Sequence, residues 1–167
     1  MFVPFEKLSP ESRVWVYQGS RPFTKDEARI VTNTLREFCE QWAAHGEPLT
    51  SSFLIEANQF VMMAVDEDFH HPSGCSIDSS VSVLRHIHQT TGIDLLDRTN
   101  VAFEIQGQTV LVPIAKLKQQ FQDGILKPES ITFNTLIATK QEWTTRWKLP
   151  AEKTWLAKYL PKPALTP

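Results

Sequence analysis

Hydrophobic and polar positions alternate, then recur every three to four residues, then alternate again along most of this chain. From Ser12 to Gln18, Val14 and Val16 alternate with Arg13, Trp15 and Tyr17, a period of two that predicts a strand. Gly19-Ser20-Arg21-Pro22 is a turn, and Thr24-Lys25-Asp26-Glu27 has the form of a capping box, with Thr24 as cap and Glu27 reaching back. The helix it opens is predicted to run to about His45. Ala28, Val31, Leu35, Phe38 and Trp42 form its apolar stripe, Cys39 lies on the same side, and Gly46 and Pro48 act as stops. Ser52 to Ala57 and Phe60 to Asp66 read as a hairpin around Asn58-Gln59. Phe60-Val61-Met62-Met63-Ala64-Val65 is apolar on both faces, which predicts a central strand covered on both sides.

The helical period returns after Gly74. Gly74 would turn the chain, Ser76 would cap the helix, and Ile77, Val81, Leu84 and His88 would form its buried stripe, flanked by Ser80, Ile87 and Thr91. Asp78, Ser79, Ser82, Arg85, His86 and Gln89 fall opposite, and Gly92 ends the helix. Val101 to Ile105 and Thr109 to Val112 form a second hairpin across Gln106-Gly107-Gln108. Pro113 opens a short helix bearing Ile114, Leu117 and Phe121, stopped by Gly124. Ile131, Phe133 and Thr135 alternate as a last strand. Thr139-Lys140-Gln141-Glu142 is a second capping box before a helix with Trp143 and Trp147 one turn apart. After Pro150, the residues Ala151, Trp155, Leu156, Tyr159 and Leu160 suggest another helix, and 161–167 is expected to fray.

The first six elements run β-α-β-β-α-β, the order of a ferredoxin-like antiparallel sheet packed on helices. The expectation is therefore an α+β fold with a C-terminal β/helical extension. It would be a single domain over 1–167, with its core at about 12–137, a helical extension at about 139–160 and a frayed tail at 161–167.

Composition narrows the function classes. Seventeen basic against nineteen acidic residues give a net charge of -2, which counts against a nucleic-acid partner, since phosphate binding wants a basic surface. The longest apolar run, Phe60 to Val65, is far too short to enter a bilayer as a helix, and the stretch from Met1 to Arg13 lacks the apolar centre of a signal peptide. Cys39 and Cys75 make no disulfide framework, so both are expected reduced in the cytoplasm. Glycines stand only at 19, 46, 74, 92, 107 and 124, which excludes a P-loop and a dinucleotide fingerprint; no cofactor is expected.

The candidate chemistry centres on Gly74-Cys75-Ser76-Ile77-Asp78. A cysteine just before a helix start sits in a positive partial charge that favours the thiolate. Cys75 would be the nucleophile, His70 or His71 its base, and Asp78 or Ser76 the orienting group. Free N–H groups near Ser76 and Ile77 would hold an anion, although Asp78 in the first turn would oppose one. The plainer reading makes Cys75 a small packing residue. His70, His71 and Cys75, with Asp66 and Asp68 before them, are metal-ligand types, but no second ligand pair accompanies them and no metal site is expected. His86 reads as solvated and His88 as a core histidine. Asp94 and Arg98 would pair if their stretch were helical. Trp15 and Tyr17, beside Arg13, would lie on one sheet face, either open as a stacking or binding surface or covered by the C-terminal segment with Trp143, Trp147, Trp155 and Tyr159.

Arg13-Val14-Trp15-Val16-Tyr17-Gln18, Gly74-Cys75-Ser76-Ile77-Asp78, Ile93-Asp94-Leu95-Leu96-Asp97-Arg98, Asn100-Val101-Ala102, Phe133-Asn134 and Thr139-Lys140 resemble a group of uncharacterised bacterial proteins. Many of that group carry the label ABC transporter ATPase, which the glycine spacing here does not support. The resemblance implies a bacterial cytoplasmic protein and no site residues. Two functions follow as expectations: a non-enzymatic binding or interaction module with a protein partner or a second copy of itself, or thiol and small-molecule chemistry at Cys75.

Overall fold

The computed structural model describes residues 1–68 and 70–163. Strand β1 (Arg13–Gln18) is followed by helix α1 (Lys25–Gln41), a small hairpin of β2 (Ala43–Ala44) and β3 (Glu47–Pro48), then β4 (Thr50–Glu56), β5 (Phe60–Asp66) and helix α2 (Gly74–Thr91). Beyond them come β6 (Asn100–Ile105), β7 (Gln108–Pro113), α3 (Ile114–Gln122), β8 (Ile131–Phe133), α4 (Lys140–Arg146) and β9 (Lys148–Pro150). The fold is mixed α+β with antiparallel sheets. Met1–Asp97 with Thr135–Thr145 forms one unit, and Arg98–Asn134 with the segment from Arg146 onward forms a second.

The first unit is organised by β5. It lies between β1 and β4, antiparallel to both, and all seven of its residues are buried, as its two apolar faces predict. On one face Val61, Met63 and Val65 pack with Val31 and Leu35 of α1 and Leu84 and Ile87 of α2. Trp15 and Tyr17 point into this same cluster, half-buried, so the aromatic side of β1 packs against α1 and α2. Both sheet edges carry extra backbone partners. Val3 N–H donates to Ser51 O beside β4, and Val14 N–H donates to Ala138 O beside β1.

Four local expectations change here. Helix α1 stops at Gln41, one turn early, because His45 and Gly46 take positive φ (52° and 82°) in a two-residue hairpin turn that pairs Ala44 with Glu47. That turn buries Trp42 and Leu49 together, with Leu49 N–H donating to Trp42 O. Helix α2 starts three residues sooner than predicted. Ser73 is the cap, accepting from Ser76 N–H, and Ser76 Oγ accepts in return from Ser73 N–H. The buried stripe is Ser76, Ser80, Leu84 and Ile87, which leaves His88 exposed. Small serines can face the core because their hydroxyls return to helix carbonyls at Ser73 and Ile77, and Trp42 Nε1 then reaches Ser76 O at 2.8 Å.

The ferredoxin-like order is not completed by the sixth element. Strand β6 joins a different, four-stranded sheet of order β7-β6-β8-β9, belonging to the second unit. Val101, Phe103 and Val112 of that sheet pack on Leu117 and Phe121 of α3 and on Ala151 and Leu156. The expected last strand is therefore β8, shortened to Ile131–Phe133, and β9 follows it. The expected helical extension over 139–160 is one short helix, a strand and two 3-10 turns, Ala151–Lys153 and Trp155–Tyr159. Trp147 falls just past α4, against Phe133 at 5.3 Å between ring centroids. Of the tail, 164–167 lies outside the described residues.

Candidate functional site

Helix α2 places Cys75 in its first turn, exposed to solvent. The capping box consumes what the sequence offered for anion binding: Ser76 N–H goes to Ser73 Oγ and Ile77 N–H to Ser73 O. Ser76 itself is only 2% exposed, its hydroxyl engaged with Ser73. Starting the helix at Gly74 moves Asp78 into the second turn, where it is exposed. His70 and His71 are exposed, and no hydrogen bond joins the Cys75 thiol to either one. His71 Nδ1 instead lies 3.9 Å from Glu67, whose other carboxylate oxygen is 3.7 Å from Arg13. Among the described residues no group of three His, Cys, Asp or Glu side chains converges as a metal site. Helix α2 thus presents an accessible thiol without an assembled base.

The remaining candidates disperse. Cys39 is fully buried, and burial pushes its thiol up to about 11, partly offset by Ser51. Trp15 sits between the Arg13 guanidinium, 4.7 Å from its ring, and Trp42, at 6.1 Å between centroids. Asp94 is not one helical turn from Arg98, because 93–98 is not helical; its Oδ1 accepts from Leu96 N–H.

A feature the sequence reading did not single out lies on the second unit. Gln106 and Gly107, both at positive φ (52° and 75°), form a two-residue turn that sets Ile105 opposite Gln108 and Phe103 opposite Val110. The ladder hydrogen bonds run through the odd residues of β6 and the even residues of β7; Ile114 N–H to Thr99 O, 2.9 Å, continues the same register. It follows that the N–H and C=O groups of Thr109 and Leu111 point outward from the sheet. Strand β7 is an edge, and among the described residues no hydrogen bond meets those outward groups. Gln108–Pro113 carries no charged side chain, and Val110 is 38% exposed. Natural edges are commonly guarded by charge, proline, bulges or a covering segment. Here the edges of the first sheet have the covering segments described above, and the opposite edge of the second sheet, β9, is only three residues long, while the proline of β7, Pro113, stands at its last position and leaves Gln108–Val112 unguarded. The signal was present as an uncharged, β-branched run after a tight turn, but which strand of a sheet is an edge depends on distant pairing.

Comparisons with protein-family models, with curated proteins and with solved structures return no match. No site residue is therefore transferred from a relative. No described helix is long and apolar enough to cross a membrane.

Proposed function

We propose that this chain is a cytoplasmic protein-interaction module that works through the free β7 edge of its second unit. The observation that carries this reading is the edge itself, unguarded from Gln108 to Val112: five uncharged residues before Pro113, outward Thr109 and Leu111 backbone groups, and exposed Val110. An extended partner strand satisfies such an edge by backbone hydrogen bonding, with alternate side chains supplying the selectivity. In this reading the first unit, with β5 inserted between β1 and β4, is the ferredoxin-like part of the fold, and the second unit meets the partner. A photo-crosslinking residue at Val110, with Gln89 on α2 as an exposed control, tests it in cells. The expected result is protein adducts through position 110 and none through 89. Absence of adducts at 110 under conditions where the protein is abundant would remove the reading. Thiol chemistry at Cys75 is the second reading, and the exposure of that side chain is what favours it.

A further inference from the structure

We infer that the β7 edge takes a second copy of this chain, paired antiparallel about a two-fold axis through Val110. The inference deepens the proposed interaction role and rests on it. Outward backbone groups stand on Thr109 and Leu111, so a self-pairing must set odd residues opposite odd residues. Three centres are available. Centred on Thr109, the second outward residue meets Gly107 in the turn. Centred on Leu111, Thr109 meets Pro113, which has no N–H. Centred on Val110, Thr109 of each copy meets Leu111 of the other, and every outward donor and acceptor of both residues is used. The symmetric register is thus the one the backbone chemistry completes, and its isologous form closes at two copies.

The side chains agree with it. Val110 would face its own twin across the axis in a non-hydrogen-bonded pair, the arrangement that brings side chains nearest. That is where the structure leaves a valine 38% exposed, on the same sheet face as exposed Ile105. Charge permits it as well. A strand that meets its own copy brings each charge near a like charge, and Gln108–Pro113 has none to bring. The product is a continuous eight-stranded sheet from two four-stranded ones.

The test uses the full chain with Cys75→Ser, so that the remaining native thiol, Cys39, is buried. Val110→Cys places two sulfurs across the axis, where Cα atoms of a non-hydrogen-bonded pair lie about 4.5 Å apart, within disulfide reach. Mild air oxidation is expected to give a covalent dimer, whereas Thr109→Cys, whose twin lies two positions away in this register, gives no disulfide-linked dimer. Sedimentation equilibrium of the unmodified chain is expected to show a concentration-dependent dimer. Val110→Lys should weaken it by about tenfold or more through like charges directly opposite, with the far-UV spectrum unchanged. A folded chain that is monomeric up to its solubility limit, or one whose dimer ignores Val110→Lys, overturns the inference. If such a monomer still gives heterologous adducts at position 110, the interaction role survives without self-association; loss of both results removes both.

Discussion

Glu27 closes the capping box of α1 through Thr24 and also takes two hydrogen bonds from Arg21, at 2.8 and 2.7 Å. Arg21 in turn donates to Thr91 O at the end of α2, so one ion pair fastens a helix start to a helix end. The Arg21 bonds first, and the Thr24 N–H second, lower the Glu27 carboxyl from 4.5 to about 2. A carboxyl lowered by folding contributes stability above its unfolded value and loses it as pH falls through its folded value. The melting temperature of the native chain should therefore exceed that of Glu27→Gln above about pH 5 and the two should converge between 4.5 and about 2. Parallel curves across that range would contradict the assignment. The cysteines give a second check at this scale. Iodoacetamide should modify Cys75 alone in the folded protein and Cys39 only after denaturation, read by mass spectrometry. Modification of Cys39 at the native rate of Cys75 would contradict the burial. The capping box at Thr24 was legible because Thr and Glu three apart have one arrangement. Ser73 and Ser76 are also three apart, and each can cap or reciprocate, so only the packing of Ser76 under Trp42 selects Ser73.

Helix α2 makes that choice measurable. Ser73→Ala should cost about 1 kcal/mol by denaturant unfolding, the usual worth of an N-cap. No change would mean that the helix begins at Ser76 after all. The hairpins show what the local pattern can and cannot carry. Strands β4 and β5 were legible as a hairpin around Asn58-Gln59, β5 by its run apolar on both faces, and the turn at Gln106 and Gly107 in its residue types. The turn at His45 and Gly46 was read as a helix end, because a glycine after a helical stripe fits either role until Trp42 and Leu49 are seen together. The C-terminal aromatics were read as a helical stripe. Trp143 does stand in α4, but Trp147 falls just past it, and Trp155 and Tyr159 belong to a 3-10 turn, edge-on to each other at 5.9 Å.

Across the whole molecule, the order of elements was visible but their partition was not. The β6–β7 hairpin was marked by its turn, but residues near β6 carry no sign that its other side pairs with β8 and not with β1, since pairing between distant strands is fixed by the packing of both faces. The place that a fourth ferredoxin-like strand would occupy beside β1 is taken by Ala138 and Thr139, whose backbone reaches Val14 and Arg13. The same partition makes β7 an edge, and so creates the surface on which the functional reading depends. Amide hydrogen exchange of the full chain, resolved by NMR at Thr109 and Leu111 and repeated over a dilution series, tests that surface most directly. Self-pairing at β7 predicts slow exchange at both amides in concentrated solution and fast exchange on dilution, while Val110, already bonded to β6, stays slow throughout. Fast exchange at Thr109 and Leu111 at every concentration would contradict it.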